Sequence, residues 1–307
     1  MKAKRICFNA GKPLFLSMLA AMFLFGCAQT PPTIQQAAEK EDPVEQAQPK
    51  AADAPSEPAA KQESEETTMD GTITDEMPAV QSVSTLTFPA ADGLPVTADY
   101  YASGDAAAPF VILFHQAEYS RGEYQEIAPK LVALGYNCLA VDQRSGSACN
   151  GVTNETYQAA RANGLPTVFA DAYPDLEAAL SYVVSAHAPK QLIVWGSSYS
   201  ASLALILAAA HPAEVFAVLS FSPGEYFKLN GKEVAEYAVN ITQPVFITSA
   251  KSEEKSWRPI AEQITSAGCV FFVPEGNGRH GSSTLFEQTP NHAEYWTAVE
   301  AFLATLK

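Results

Sequence analysis

The sequence predicts a doubly wound, mostly parallel α/β sheet that follows an antiparallel hairpin, with helices on both faces and no large cap domain. Three observations carry this. Six short apolar runs are nearly continuous rather than alternating, the pattern of strands buried on both faces. Helix-like stretches stand between most of them, so each strand can return parallel to the last through a right-handed crossover. No second linker interrupts residues 81–307, a length able to bury on the order of 70% of its unfolded surface in one core.

Residues 1–27 do not belong to that fold. Lys2, Lys4, Arg5 and Lys12 precede the apolar run from Leu14 to Phe25, and Gly26 and Cys27 follow it. This is the layout of a secretory signal peptide, and its apolar run is shorter than the ~20 residues a bilayer span needs. Leu24-Phe25-Gly26-Cys27 resembles a bacterial lipobox, which implies lipidation of Cys27 and a membrane anchor in the cell envelope, facing periplasm or exterior. Residues 28–80 carry Pro31, Pro32, Pro43, Pro49, Pro55, Pro58 and Pro78, and 12 acidic residues against Lys40, Lys50 and Lys61. Burial there cannot offset chain entropy, so a disordered, self-repelling tether is expected.

The folded part begins with Val83 to Phe88 and Leu94 to Tyr101, which flank a turn at Ala90 to Gly93 and read as a hairpin. Phe110 to Phe114 is the first buried strand. Tyr124, Ile127, Leu131 and Leu134 then recur at helical spacing from Gly122 to Leu134, and Gly135 stops that helix. Further strands are read at Asn137 to Val141, Gln191 to Trp195, Val215 to Leu219, Pro244 to Thr248 and Cys269 to Val273. The helices are Tyr173 to Ala186, Ser198 to Ala210, Trp257 to Ala267 and His292 to Leu306. Cys138, Cys149 and Cys269 are expected to be buried thiols.

At the end of the third run stands Gly196-Ser197-Ser198-Tyr199-Ser200, followed at once by a small, apolar helix. A Ser there needs small neighbours, because the turn that lifts its hydroxyl above the sheet is tight, and the helix N-terminus stabilises negative charge beside it. The segment resembles the G-x-S-x-G nucleophile elbow of the α/β-hydrolase superfamily, with Ser200 in place of the last Gly. The resemblance implies Ser198 as nucleophile, with Ser197 the neighbouring candidate. It also implies an acid and then a His further along the chain. The acid falls in the loop after Thr248, where Glu253 is preferred and Glu254 is the other candidate. The general base falls at His280, in the Gly-rich loop from Pro274 to Gly281, with His292 in reserve. The oxyanion hole it implies is the N–H of Tyr199 and that of Gln116, in the loop from His115 to Gly122. There His115 reads as a brace rather than a reactant. Glu118, Tyr119 and Tyr226 are the expected substrate contacts.

In having no long cap insertion the chain is similar to the dienelactone-hydrolase-like and serine esterase branch, with Ser as nucleophile. The function implied is hydrolysis of a small or medium acyl ester through an acyl-enzyme. Alternatives are an amidase, peptidase or acyltransferase with the same triad, and a non-catalytic lipoprotein on a hydrolase scaffold. No metal-ligand spacing or phosphate loop is present, so no metal or cofactor is implied, and a monomer is expected. The formal charge of −15 weighs against nucleic-acid binding. Residues 81–307 carry 22 acidic and 12 basic residues, so attachment to an anionic membrane would depend on the lipid at Cys27.

Overall fold

The computed structural model describes residues 82–307. The signal-like segment with Cys27 and the tether expected over 28–80 lie outside the described residues. Strands β1 (Ser82–Pro89) and β2 (Pro95–Ala102) pair antiparallel across the turn at Ala90 to Gly93. The strands that follow are β3 (Phe110–Phe114), β4 (Asn137–Val141), the short ribbon β5 (Ala148–Cys149) and β6 (Val152–Thr153), β7 (Leu192–Ser197), β8 (Ala217–Phe221), β9 (Val245–Thr248) and β10 (Val270–Phe272). Eight of them form one sheet in the order β1-β2-β4-β3-β7-β8-β9-β10, parallel from β4 onward.

The chain winds outward from β3 to β4, then crosses back over β3 to β7. The C-terminal ends of β3 and β7 therefore mark the switch point of the sheet, the place where open α/β sheets hold their ligands. The pleat explains why the runs are apolar throughout. Phe110, Ile112 and Phe114 enter one core layer, while Val111 and Leu113 enter the other. Helices α3 (Tyr173–His187), α4 (Tyr199–Ala210), α5 (Val234–Ala238) and α6 (Glu254–Ala261) cover the first face through Leu176, Leu203, Val234 and Trp257. Helices α1 (Ile127–Ala133) and α7 (His292–Ala304) cover the second through Leu131, Val299 and Phe302.

The strand read as Val215 to Leu219 runs Ala217–Phe221 and the helix read as Trp257 to Ala267 runs Glu254–Ala261; two further elements differ from the sequence expectation for clear physical reasons. The helix expected from Gly122 begins as a 3-10 turn, Arg121–Tyr124, and restarts at Ile127. In one continuous helix the ring of Pro129 would meet the Gln125 carbonyl. Its end is as read: Gly135 lies at φ 91°, and the N–H groups of Gly135 and Tyr136 return to the carbonyls of Val132 and Leu131. Within the connection from Gly146 to Ala172, where the sequence predicts no helix, lies α2 (Glu155–Ala162), capped by the Asn154 side chain accepting from the Tyr157 N–H at 2.7 Å. Cys138 and Cys149 form no disulfide among the described residues. Only Cys138 is fully buried, because Cys149 lies in the surface ribbon and Cys269 precedes an edge strand.

Candidate active site

Ser198 stands between β7 and α4 with φ 59° and ψ −124°, 7% exposed. Holding a non-glycine residue there costs of order 1–3 kcal/mol, which the surroundings must supply. Its N–H donates to the Phe221 carbonyl at 2.8 Å. A Cβ on Gly196 would run into the Ser200 and Ala201 backbone, so the strand can turn into the helix this tightly only with glycine there. Ser200, where the motif has Gly, is used rather than merely tolerated. Its Oγ accepts the Ser197 N–H at 3.1 Å and lies 2.7 Å from the carbonyls of both Phe114 and His115. This joins the ends of β3 and β7.

The Ser198 hydroxyl donates to His280 Nε2 at 2.7 Å, and His280 Nδ1–H donates to Glu253 Oε1 at 2.6 Å. The side chains come from three separate loops, after β7, after β9 and after β10. Burial works to raise the Glu253 carboxyl, but His280, the Ser222 hydroxyl and the Ala250 N–H together hold it below the usual carboxylate range. It is therefore charged where an imidazolium would need it. The other candidates are held elsewhere. Ser197 Oγ donates to Glu123 at 2.8 Å, Glu254 pairs with Arg258 in the first turn of α6, and His292 Nδ1 bonds the Thr289 carbonyl at 2.8 Å.

One expected donor is not available. The Gln116 N–H donates to Glu123 Oε2 at 2.8 Å, so it is not free to meet an oxyanion; a buried carboxylate needs donors and takes this one. In the same turn the N–H groups of Ala117 and Glu118 have no partner among the described residues, with Glu118 at φ 64°. Across the site the Tyr199 N–H, at the first position of α4, is likewise unengaged. His115 is the expected brace. Its Nδ1–H donates to the Gln116 carbonyl at 2.7 Å, and Nε2 accepts from the Gln143 N–H at 3.0 Å. Burial pushes it down to about 4, so it is neutral.

Of the expected substrate contacts, Glu118 is exposed on the turn, Tyr119 is half-buried, and the Tyr226 phenol lies beside the Ser198 hydroxyl. Burial drives that phenol up to about 12, and it donates to the Ser222 carbonyl at 2.8 Å.

Sequence reasoning missed two residues here. Ser222, at φ 56° just past β8, donates from Oγ to Glu253 Oε2 at 2.7 Å and accepts the Gly281 N–H at 2.9 Å, joining the acid to the histidine loop. Glu123, wholly buried, accepts from Gln116 and, at 2.8 Å, from the Ser197 hydroxyl. A carboxylate inside a stretch expected to bury was the signal available for it.

A family model described as serine aminopeptidase, S33, matches residues 105–264. Among solved structures, the chain is similar to the esterase Pf2001 of Pyrococcus furiosus at 18% identity, with a TM-score of 0.57 over 73% of this chain and 92% of that one. It is similar to a dienelactone hydrolase of Anabaena variabilis at 17% identity, with a TM-score of 0.56 over 73% and 97%. Est1E of Butyrivibrio proteoclasticus, solved with ferulic acid bound, gives 13% and 0.56 over 72% and 98%. A comparison with curated proteins finds no match.

Proposed function

The chain belongs to the serine aminopeptidase, S33, family of α/β-hydrolases, and on that premise we propose that it cleaves a small or medium acyl ester through an acyl-enzyme on Ser198. The observation that carries the reading is the unbroken relay from Ser198 Oγ through His280 to Glu253, at 2.7 and 2.6 Å. Ser198 Oγ attacks the carbonyl carbon as its proton passes to His280 Nε2. Glu253 keeps the Nδ1–H tautomer in place and stabilises the imidazolium. The oxyanion meets the Tyr199 N–H and an unengaged N–H of the turn at Ala117 and Glu118, a pair of donors that contributes several kcal/mol in the transition state. His280 then gives its proton to the departing alkoxide. Water attacks the acyl-enzyme by the same route, so that ester and water become acid and alcohol.

Labelling with a fluorophosphonate tests this. The full chain should label at one serine, and Ser198→Ala should abolish it; labelling that survives the substitution removes Ser198 as nucleophile. The family's description favours a second reading, release of an N-terminal amino acid from a peptide. Turnover of p-nitrophenyl butyrate against aminoacyl p-nitroanilides separates the two. Anchoring at the cell envelope through Cys27 is supported by the basic, then apolar, then Gly-Cys order of residues 1–27. Palmitate incorporation lost in Cys27→Ser is its test.

A further inference from the structure

We propose that Glu123 is a positioning residue of this site: its carboxylate fastens the turn after β3, the nucleophile elbow and the His280 loop to one another, and it does so fully only when ionised. The proposal rests on the hydrolytic reading above. Three bonds define it. Oε2 accepts the Gln116 N–H, directly before the unengaged N–H groups of Ala117 and Glu118. Oε1 accepts the hydroxyl of Ser197, directly before the nucleophile. Ser197 Oγ in turn accepts the Ser282 N–H at 2.8 Å, two residues beyond the general base. Each part that must meet at a substrate carbonyl is thus one or two residues from a group held by this one side chain. The packing leaves no slack between them. A Cβ on Gly281 would collide with Ser197 Oγ and with Gln116 Oε1, so the histidine loop lies directly against the other two segments.

The charge is needed for the geometry. A carboxylate has an acceptor for each of its two donors. A proton on Oε2 would face the Gln116 N–H donor to donor. A proton on Oε1 would turn the Ser197 bond around, so that Ser197 Oγ accepts from both Glu123 and Ser282 while its own hydrogen loses its acceptor. Either protonation leaves a buried donor hydrogen without an acceptor, so the carboxylate alone satisfies all three segments at once. The titratable groups whose charges reach Glu123 are the Tyr119, Tyr124 and Tyr199 phenols, the Cys149 thiol and the His280 imidazole. Of these only His280 brings positive charge. Burial pushes the Glu123 carboxyl up to about 7 against the lowering effect of its donors and of His280. Loss of the clamp on acidification therefore falls near neutral pH.

The test is the rate of fluorophosphonate labelling of Ser198 in the full chain from pH 5 to 9. Glu123 must be ionised before reaction, which adds one to the slope with which the logarithm of the parent's rate rises on its acid side. Glu123→Gln should reduce that slope by one and slow labelling at least tenfold at pH 8, while Glu123→Asp should keep the steep limb. A residue that served stability alone would leave the slope unchanged. A Glu123→Gln profile with the parent's slope, or a Glu123→Asp profile that loses the steep limb, overturns the proposal, and the Asp variant decides it even if the Gln variant does not fold. A parent that never labels overturns the hydrolytic reading first and this proposal with it, a result distinct from a parent that labels with the same slope as its variants.

Discussion

Replacing Ser200 by Ala isolates what the departure from the Gly of the elbow motif contributes. The Ser200 hydroxyl is fully buried. It is the acceptor for the Ser197 N–H at the end of β7, and its one proton is shared among the carbonyls of Phe114, His115 and Ser197 at 2.7, 2.7 and 2.8 Å. Alanine leaves the Ser197 N–H buried without an acceptor, which costs about 1–3 kcal/mol, and removes one hydroxyl bond of about 1 kcal/mol. The better helix propensity of Ala returns roughly 0.5 kcal/mol. The net expectation is a loss of about 1.5–3.5 kcal/mol, or on the order of 3–14 °C in Tm for a domain of this size. Ser200→Gly should lose slightly more, since glycine adds backbone freedom inside α4. Urea denaturation followed by far-UV circular dichroism measures it, with ester turnover recorded on the same samples. A Ser200→Ala protein within about 0.5 kcal/mol of the parent would show that the hydroxyl only fills space and that the reasoning about β3 and β7 is mistaken.

Two further outcomes follow from charges in and under the site. Glu253→Gln should lower kcat for a short p-nitrophenyl ester by roughly 10³–10⁴-fold through loss of the imidazole's tautomer and charge partner, while Glu254→Gln, whose partner Arg258 is a part-exposed i,i+4 neighbour, should change it by less than about threefold. The reverse order would reassign the acid. Glu123 also makes stability fall with pH. The folded protein holds that proton up to about 7, whereas the unfolded chain releases it near the ordinary value of 4.5, so this contribution is complete below 4.5 and lost as the pH rises through 7. The stability of the parent minus that of Glu123→Gln should therefore drop by roughly 3 kcal/mol between pH 4.5 and 8. A difference that stays flat or rises would mean that the carboxyl is not perturbed by burial.

The strands were readable because a parallel sheet covered on both faces makes every position apolar, and Val111 and Ile112 can face opposite layers without either being polar. The helix α2 was not, because Glu155 to Ala162 buries only Thr156 and Ala160 and presents no apolar stripe. The relay was readable in outline, since its three loops follow three legible strands. What the order of residues could not carry is how loops distant in sequence touch. Gln116 looked available from its place in the turn, and only the folded chain brings Glu123 against its N–H. Ser222 was invisible for the same reason, its bonds reaching 31 residues to Glu253 and 59 to Gly281.

Ser222 has a consequence for anyone wishing to alter what this protein acts upon. Its hydroxyl steadies the acid and the histidine loop, while its carbonyl anchors the Tyr226 phenol beside the nucleophile. Under the function proposed above, the wall that a protein engineer would rebuild and the relay that must be left alone pivot on one residue, at φ 56°. Grafts into the connection between β8 and α5 have to start after Ser222 and keep its left-handed turn. A library that randomises the whole connection will lose turnover for reasons unrelated to substrate fit.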